Sequence, residues 1–430
     1  MARQYASPWE SPQGLGKGFG QGFGKSKSIA VSLCAIVKNE ARRIADCLNS
    51  AKDFVDEAIV VDTGSTDNTI EIAKQCGAKV FKFAWCDDFA AARNYALSHA
   101  IGNWILVLDA DEKLDPGAKL ALHQIIRQAE CIAANLVRQE VGAQQSPYSL
   151  VSRLFRRRTD IKFSGYYHES IDDSIAKICR EQPIWKVFTV PGVSIQHYGY
   201  SSSEISLKSK QEFALRLMHK HLERFPSDAY MYSKLGALYV ESGDLDRGME
   251  LLERGIDILS QGNNPQIQSQ IEFELYYHAA IAYSHKLQWQ LAQDFYQQAL
   301  ALDVPAIVKL PAFNNLGNLW QEQGDSKSAI AAYQQVTDIA PNFAKGFYNL
   351  GIALKASGQL QQAIGAYDRA ISIDPEYADA YQNLGVALIH SGQIQQAIAA
   401  FTSAIKYHEQ QNNPARAQVI RDGIRDLGLI

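Results

Sequence analysis

Apolar residues in the first two hundred positions come in short unbroken runs, each followed by a polar cluster and then an amphipathic stretch. Ile29–Val37 is nearly all apolar, and a helical pattern follows over Glu40–Ala51. Ala58–Val61 is a second run, closed by Asp62 and the turn Thr63-Gly64-Ser65-Thr66-Asp67. Asn68–Cys76 reads as helix, Lys79–Phe83 as a short strand, Ala90–Ala100 as helix and Trp104–Leu108 as a third buried strand. Continuous apolar runs of this length suit parallel strands covered on both faces. Their alternation with helices predicts a doubly wound α/β domain, whose ligands sit beyond the carboxyl ends of the strands. Polar residues gather at those ends: Lys38-Asn39-Glu40, Asp62–Ser65 and Asp109-Ala110-Asp111. Residues 148–200 read as β-rich and irregular, and helical periodicity returns from Ser203 to Arg224.

Beyond that point the pattern repeats. Leu316-Gly317, Leu350-Gly351 and Leu384-Gly385 are 34 residues apart, as are Ala329, Ala363 and Ala397, and Tyr333, Tyr367 and Phe401. Pro341 and Pro375 close two of the units. A helix–turn–helix unit of this period is the tetratricopeptide repeat. Two weaker copies precede these, giving five expected repeats at 229–262, 273–306, 310–343, 344–377 and 378–411. Residues 412–430 are expected to form the capping helix that such arrays need. Asn315, Asn349 and Asn383 recur at the same spacing. An amide can donate to and accept from a peptide backbone, so these three are candidates for an acceptor or partner groove. The alternative is that asparagine is simply common at this position of the repeat's consensus. The ladder resembles the one lining the superhelix of the O-linked N-acetylglucosamine transferase.

Composition narrows the field. A formal net charge of -4 gives no footprint for nucleic-acid binding, so an anionic ligand has to be held by local groups. The six cysteines form no C-x-x-C pair and read as reduced, buried thiols. No apolar run approaches the ~20 residues of a membrane-spanning helix. A cytoplasmic chain is expected, with a peripheral position at the inner face of the membrane as a variant. Residues 1–27, with alternating glycines from Gly14 to Gly24, are expected to be disordered.

Asp109-Ala110-Asp111 directly follows a buried strand, where two carboxylates can share a cation with a ligand's phosphates. Four ordered motifs surround it: Ala35–Glu40, Ile59–Asp67, Ala92-Arg93-Asn94 and Ile105–Asp111. Together these resemble the family 2 glycosyltransferases of GT-A fold over about residues 28–200. Asp87-Asp88-Phe89-Ala90, Arg153–Arg156, Gly165–Glu169 and His197–Tyr200 are similar to the branch holding lipopolysaccharide-core glucosyltransferases and bacteriocin S-glycosyltransferases. Thr63 stands where the family more often has a second acid.

The resemblance implies a GT-A domain at 28–202, a connecting helix at 203–228 and the repeat solenoid behind it. It implies that Val37, Glu40, Asp62, Arg93 and Asp109 contact the nucleotide of a nucleoside-diphosphate sugar, most simply a UDP-sugar. Asp109 and Asp111, with His197, would hold Mg²⁺ or Mn²⁺. Glu169 would act as general base in a single inverting displacement. The acceptor would be a protein or peptide held by the repeats. The alternatives are a lipid-linked or cell-envelope saccharide, with the repeats docking a partner, or an inactive scaffold.

Overall fold

The computed structural model describes residues 30–142, 148–199, 204–261 and 265–429. The glycine-rich stretch of residues 1–27 lies outside them. The first half is built in the order β1 (Val31–Val37), α1 (Ile44–Ala51), β2 (Glu57–Asp62), α2 (Thr69–Gln75), β3 (Lys79–Lys82), α3 (Phe89–His99) and β4 (Trp104–Val107). It continues with β5 (Glu112–Leu114), α4 (Lys119–Ile125), β6 (Cys131–Glu140), β7 (Tyr148–Arg156), α5 (Asp172–Glu181) and β8 (Lys186–His197). All eight strands form one sheet of order β3-β2-β1-β4-β7-β6-β8-β5. The β3-β2-β1-β4 part is parallel, whereas β7 runs antiparallel to both β4 and β6. This is a curled α/β sheet of the GT-A type.

β1 is buried on both faces, as its unbroken apolar run requires. Leu33, Ala35 and Val37 pack with Ile44 and Leu48 of α1 and with Leu122 of α4. On the other face, Cys34 packs with Ala96 of α3 and Ile175 of α5. Helix α1 starts four residues later than its amphipathic pattern predicts. Asn39 has a left-handed backbone (φ 57°) and the Glu40 N–H donates to Thr69 Oγ1 at 2.8 Å, so the chain turns before it coils. Strand β6 and helix α4 do not stand out in the sequence. Among the cysteines, Cys34, Cys47 and Cys131 are buried free thiols, but Cys86 is exposed and Cys76 and Cys179 are half-buried. The expectation of uniformly buried thiols is corrected there.

Helix α6 (Glu204–Arg224) leads into antiparallel pairs: α7 (Ala229–Glu241) with α8 (Leu245–Ser260), and α9 (Pro265–His285) with α10 (Trp289–Ala301). Then come α11 (Ala306–Glu322) with α12 (Ser326–Ile339), α13 (Ala344–Ala356) with α14 (Leu360–Ile373), and α15 (Ala378–His390) with α16 (Ile394–Gln410). Helix α17 (Pro414–Asp426) covers the last pair through Ile420 and Ile424. Among the described residues no helix is long and apolar enough to cross a membrane.

The recurring glycine and aromatic columns have one cause. A Cβ on Gly317, Gly351 or Gly385 would stand 2.6–2.7 Å from the ring of Tyr333, Tyr367 or Phe401 respectively. These rings fill the space between paired helices, and Tyr367 is fully buried. Gly351→Ala should therefore cost about 1–3 kcal/mol through overpacking. Thermal unfolding of the repeats checks this, and an unchanged melting temperature would mean that the ring can move aside.

Candidate active site

β1, β2 and β4 run parallel, so their carboxyl ends open at one edge of the sheet, and a cleft of about 1870 Å³ lies there. It extends from Val37 and Glu40, past Asp109, Asp111 and Glu169, to the first repeats. Arg93 sits on the second turn of α3, a helix whose start is fixed by Asp88 accepting from the Ala91 N–H at 2.9 Å. Its side chain is 4% exposed and bridges two carboxylates. Nε donates to Glu169 Oε1 at 2.8 Å and Nη2 donates to Asp109 Oδ1. Arg153 of β7 donates to the other Asp109 oxygen at 2.7 Å. Burial by itself would raise the Asp109 carboxyl, but the charges of Arg153 and Arg93 outweigh it and hold that group well below the usual carboxylate range.

Glu169 is carried by a tight loop. Ser164 and Ser170 exchange backbone hydrogen bonds of 2.9 and 3.0 Å, and Gly165 turns the chain with φ 102°. Asn94, next to Arg93, clamps the loop's approach: its Nδ2 donates to Phe163 O and its Oδ1 accepts from Phe163 N, both at 2.9 Å. One turn of α3 thus sets both the arginine and its partner.

Strand pairing assembles the other flank. β5 pairs with β8 so that Glu112 faces His197, and β6 pairs with β8 so that Glu140 faces His197. His197 Nδ1 lies 2.5 Å from Glu140 Oε2, and its Nε2 lies 3.4 Å from Asp111 Oδ2. Burial works against a charged imidazole, but the bonds to Asp111 and Glu140 outweigh it and lift His197 to about 9. A positive charge is therefore favoured between Asp111 and Glu140. Carboxylate–histidine pairing of this kind is how proteins aim the second ring nitrogen at a metal. The Asp111 carboxylate fits the oxygen donors that Mn²⁺ or Mg²⁺ prefers, and His197 would have to give up its proton to join it. Among the described residues no group of three or more acidic, His or Cys side chains could hold a metal unaided. Phosphate oxygens of a donor would have to complete the shell.

The structure places the other candidates unevenly. Val37 and Glu40 line the cleft, but Asp62 does not. Asp62 is 3% exposed and accepts from the N–H groups of Gly64 and Ser65 at 3.1 Å, so it braces its own turn. His197 ends strand β8. Asn315, Asn349 and Asn383 each reach back to the preceding repeat, donating to Tyr277 Oη, Asn314 Oδ1 and Tyr348 Oη at 3.2, 2.8 and 3.2 Å. They bond repeat to repeat, and Asn349 is buried. Sequence reasoning missed Glu112, Arg138 and Glu140. Glu112 is wholly buried, accepting from the Asp109 N–H at 2.9 Å and from Arg138 Nη1 at 3.1 Å. It belongs to the site's foundation, not to a solvated acidic loop. An Arg-x-Glu at the end of a strand is the only local signal that pointed to 138 and 140.

Three arginines in one cleft supply the local positive field that a net charge of -4 does not. Residues 32–188 match the model described as Glycosyl transferase family 2. Residues 317–358 and 353–390 match a TPR repeat model, and 378–411 match a tetratricopeptide repeat model. A TPR repeat-containing protein of Synechococcus elongatus is 42% identical over 311 residues, 72% of this chain and 76% of the relative. Glycosyltransferase SunS of Bacillus subtilis is 30% identical over 217 residues, 47% of this chain and 48% of SunS, so the match spans about half of that relative. A glycosyltransferase of Rickettsia bellii is 44% identical over 191 residues, 42% of this chain and 63% of the relative. The chain belongs to the family 2 glycosyltransferases and carries tetratricopeptide repeats behind its catalytic domain.

Proposed function

We propose that the cleft binds a nucleoside-diphosphate sugar, in the first instance a UDP-sugar, and passes the sugar to an acceptor hydroxyl with inversion. The observation that carries this reading is the meeting of Asp109–Asp111, Arg93 and Glu169 at one point of the cleft. Arg93 Nη1 is buried and has no partner among the described residues. An unmet buried donor costs about 1–3 kcal/mol, which a phosphate or acceptor oxygen would recover. Val37 and Glu40 flank the nucleoside, and Asp62 acts through the turn it shapes. Asp109 and Asp111, with His197, would hold a divalent cation, which would supply positive charge to offset the leaving diphosphate. Glu169 takes the acceptor proton as the acceptor oxygen bonds the anomeric carbon. The bond to phosphate breaks on the opposite face, and the nucleotide leaves with its electron pair. The repeats serve protein interaction, and of the three asparagines Asn315 and Asn383, half-buried, are those a bound chain can reach.

Hydrolysis of UDP-glucose, UDP-galactose and UDP-N-acetylglucosamine with Mn²⁺ tests this. Asp111→Asn should raise the Mn²⁺ needed for half-maximal turnover by about tenfold or more. Turnover indifferent both to chelation and to this substitution would remove the metal from the mechanism.

A further inference from the structure

The cleft is larger than its donor needs. Pockets for small ligands hold roughly 300–1000 Å³, against about 1870 Å³ here. Part of the cleft wall does not belong to the catalytic domain. Tyr230 and Lys234 come from α7, Leu259 follows from α8, and Ile271 and Glu274 come from α9. Resting on the transfer reading above, we infer that the first two repeats form the acceptor wall of the active site, and that the acceptor is an extended polypeptide segment.

Three observations support this. The wall carries both paired polar groups and apolar side chains. Lys234 Nζ donates to Glu274 Oε2 at 2.6 Å, and Ser233 Oγ donates to the same oxygen at 3.2 Å. The ammonium keeps donors and Glu274 Oε1 keeps its acceptor capacity, which together match the N–H and C=O of a peptide unit. Phe225, Leu259 and Ile271 line the same cleft, where a saccharide would want hydroxyl partners and a peptide brings apolar side chains. The Tyr230 ring lies under the Lys234 ammonium, with its centre 5.0 Å from Nζ. Burial pushes its phenol up to about 12, so it stays a neutral donor, and the charges of Lys234, Glu274, Asp172 and Glu169 all reach it. Finally, the wall is anchored to the catalytic domain. Gln270 of α9 donates to the Leu150 carbonyl of β7 at 3.4 Å, and Tyr167 packs against Met218 and Met231.

The test is transfer of labelled sugar from the three UDP-sugars to an arrayed library of extended peptides, each with a single Ser, Thr or Cys, and in parallel to maltoheptaose. The wild-type chain is compared with Tyr230→Ala and with the double variant Lys234→Met/Glu274→Leu, which removes both charges together so that neither is left buried alone. Melting temperatures check folding, and the rise in melting temperature with donor reads donor binding. The wild-type chain should label peptides. In both variants the peptide KM should rise about tenfold or more while kcat stays within about threefold and the donor-induced shift persists. Labelling of maltoheptaose without peptides, or a peptide KM unmoved in both variants, overturns the inference. Donor hydrolysis with neither acceptor labelled overturns it while leaving the transferase reading intact. Neither hydrolysis nor transfer from any of the three donors removes both.

Discussion

Replacing Arg93 with methionine should destabilise the catalytic domain by about 3–5 kcal/mol, the usual cost of removing one partner from a buried ion pair. Arg93 is 4% exposed, and Glu169, 9% exposed, has it as its ion-pair partner. Asp109 is a third open to the cleft and keeps Arg153, so most of the loss falls on Glu169, and the lower end of the range is expected. Arg93→Lys should rescue little, because a single ammonium cannot replace two guanidinium nitrogens aimed at two carboxylates. Thermal unfolding monitored in the catalytic domain reads this directly. A loss below about 1 kcal/mol would mean that water reaches Glu169 and that the bridge is ornamental.

Glu169→Gln should cost less stability than Arg93→Met, because Asp109 still pairs with Arg93, and should lower transfer by about 10²–10⁴, the usual contribution of a positioned base. Glutamine retains an oxygen that accepts from Arg93 Nε and loses both charge and basicity, while Asp109 still faces the Arg93 charge. The contrast with Arg93→Met is informative because the two residues touch. One change should move stability and turnover together, the other mainly turnover. Single-turnover transfer at saturating donor separates them, and a fall of less than tenfold would assign the proton to another group.

Much of this architecture is legible along the chain, for a physical reason. β1, β2 and β4 are covered on both faces, so they appear as unbroken apolar runs. The repeats depend on contacts within 34 residues, so glycine and ring recur together. β6 is different. Its sequence Cys-Ile-Ala-Ala-Asn-Leu-Val-Arg-Gln-Glu is rich in good helix formers, and its strand character comes from β7 and β8 on either side. Glu140 and Arg138 could not be assigned because their partners lie 57 and 26 positions away. Asp62 illustrates the converse. The motif located it correctly at a strand end, but only the turn geometry reveals that its oxygens serve Gly64 and Ser65. The role of Tyr230 and Lys234 depends on how the first helical pair docks, which no local pattern encodes.

Tyr148, at the start of β7, packs against a cluster formed by Leu310, Val336 and Ala340 in the third helical pair. Truncating the chain before α7 would uncover this ring, together with Tyr167 in the base-bearing loop. A shortened enzyme would present fresh greasy surface beside its own β6–β7 hairpin and would tend to aggregate. Attempts to produce the catalytic half by itself should therefore keep at least α7 to α12, or replace the two tyrosines with polar residues.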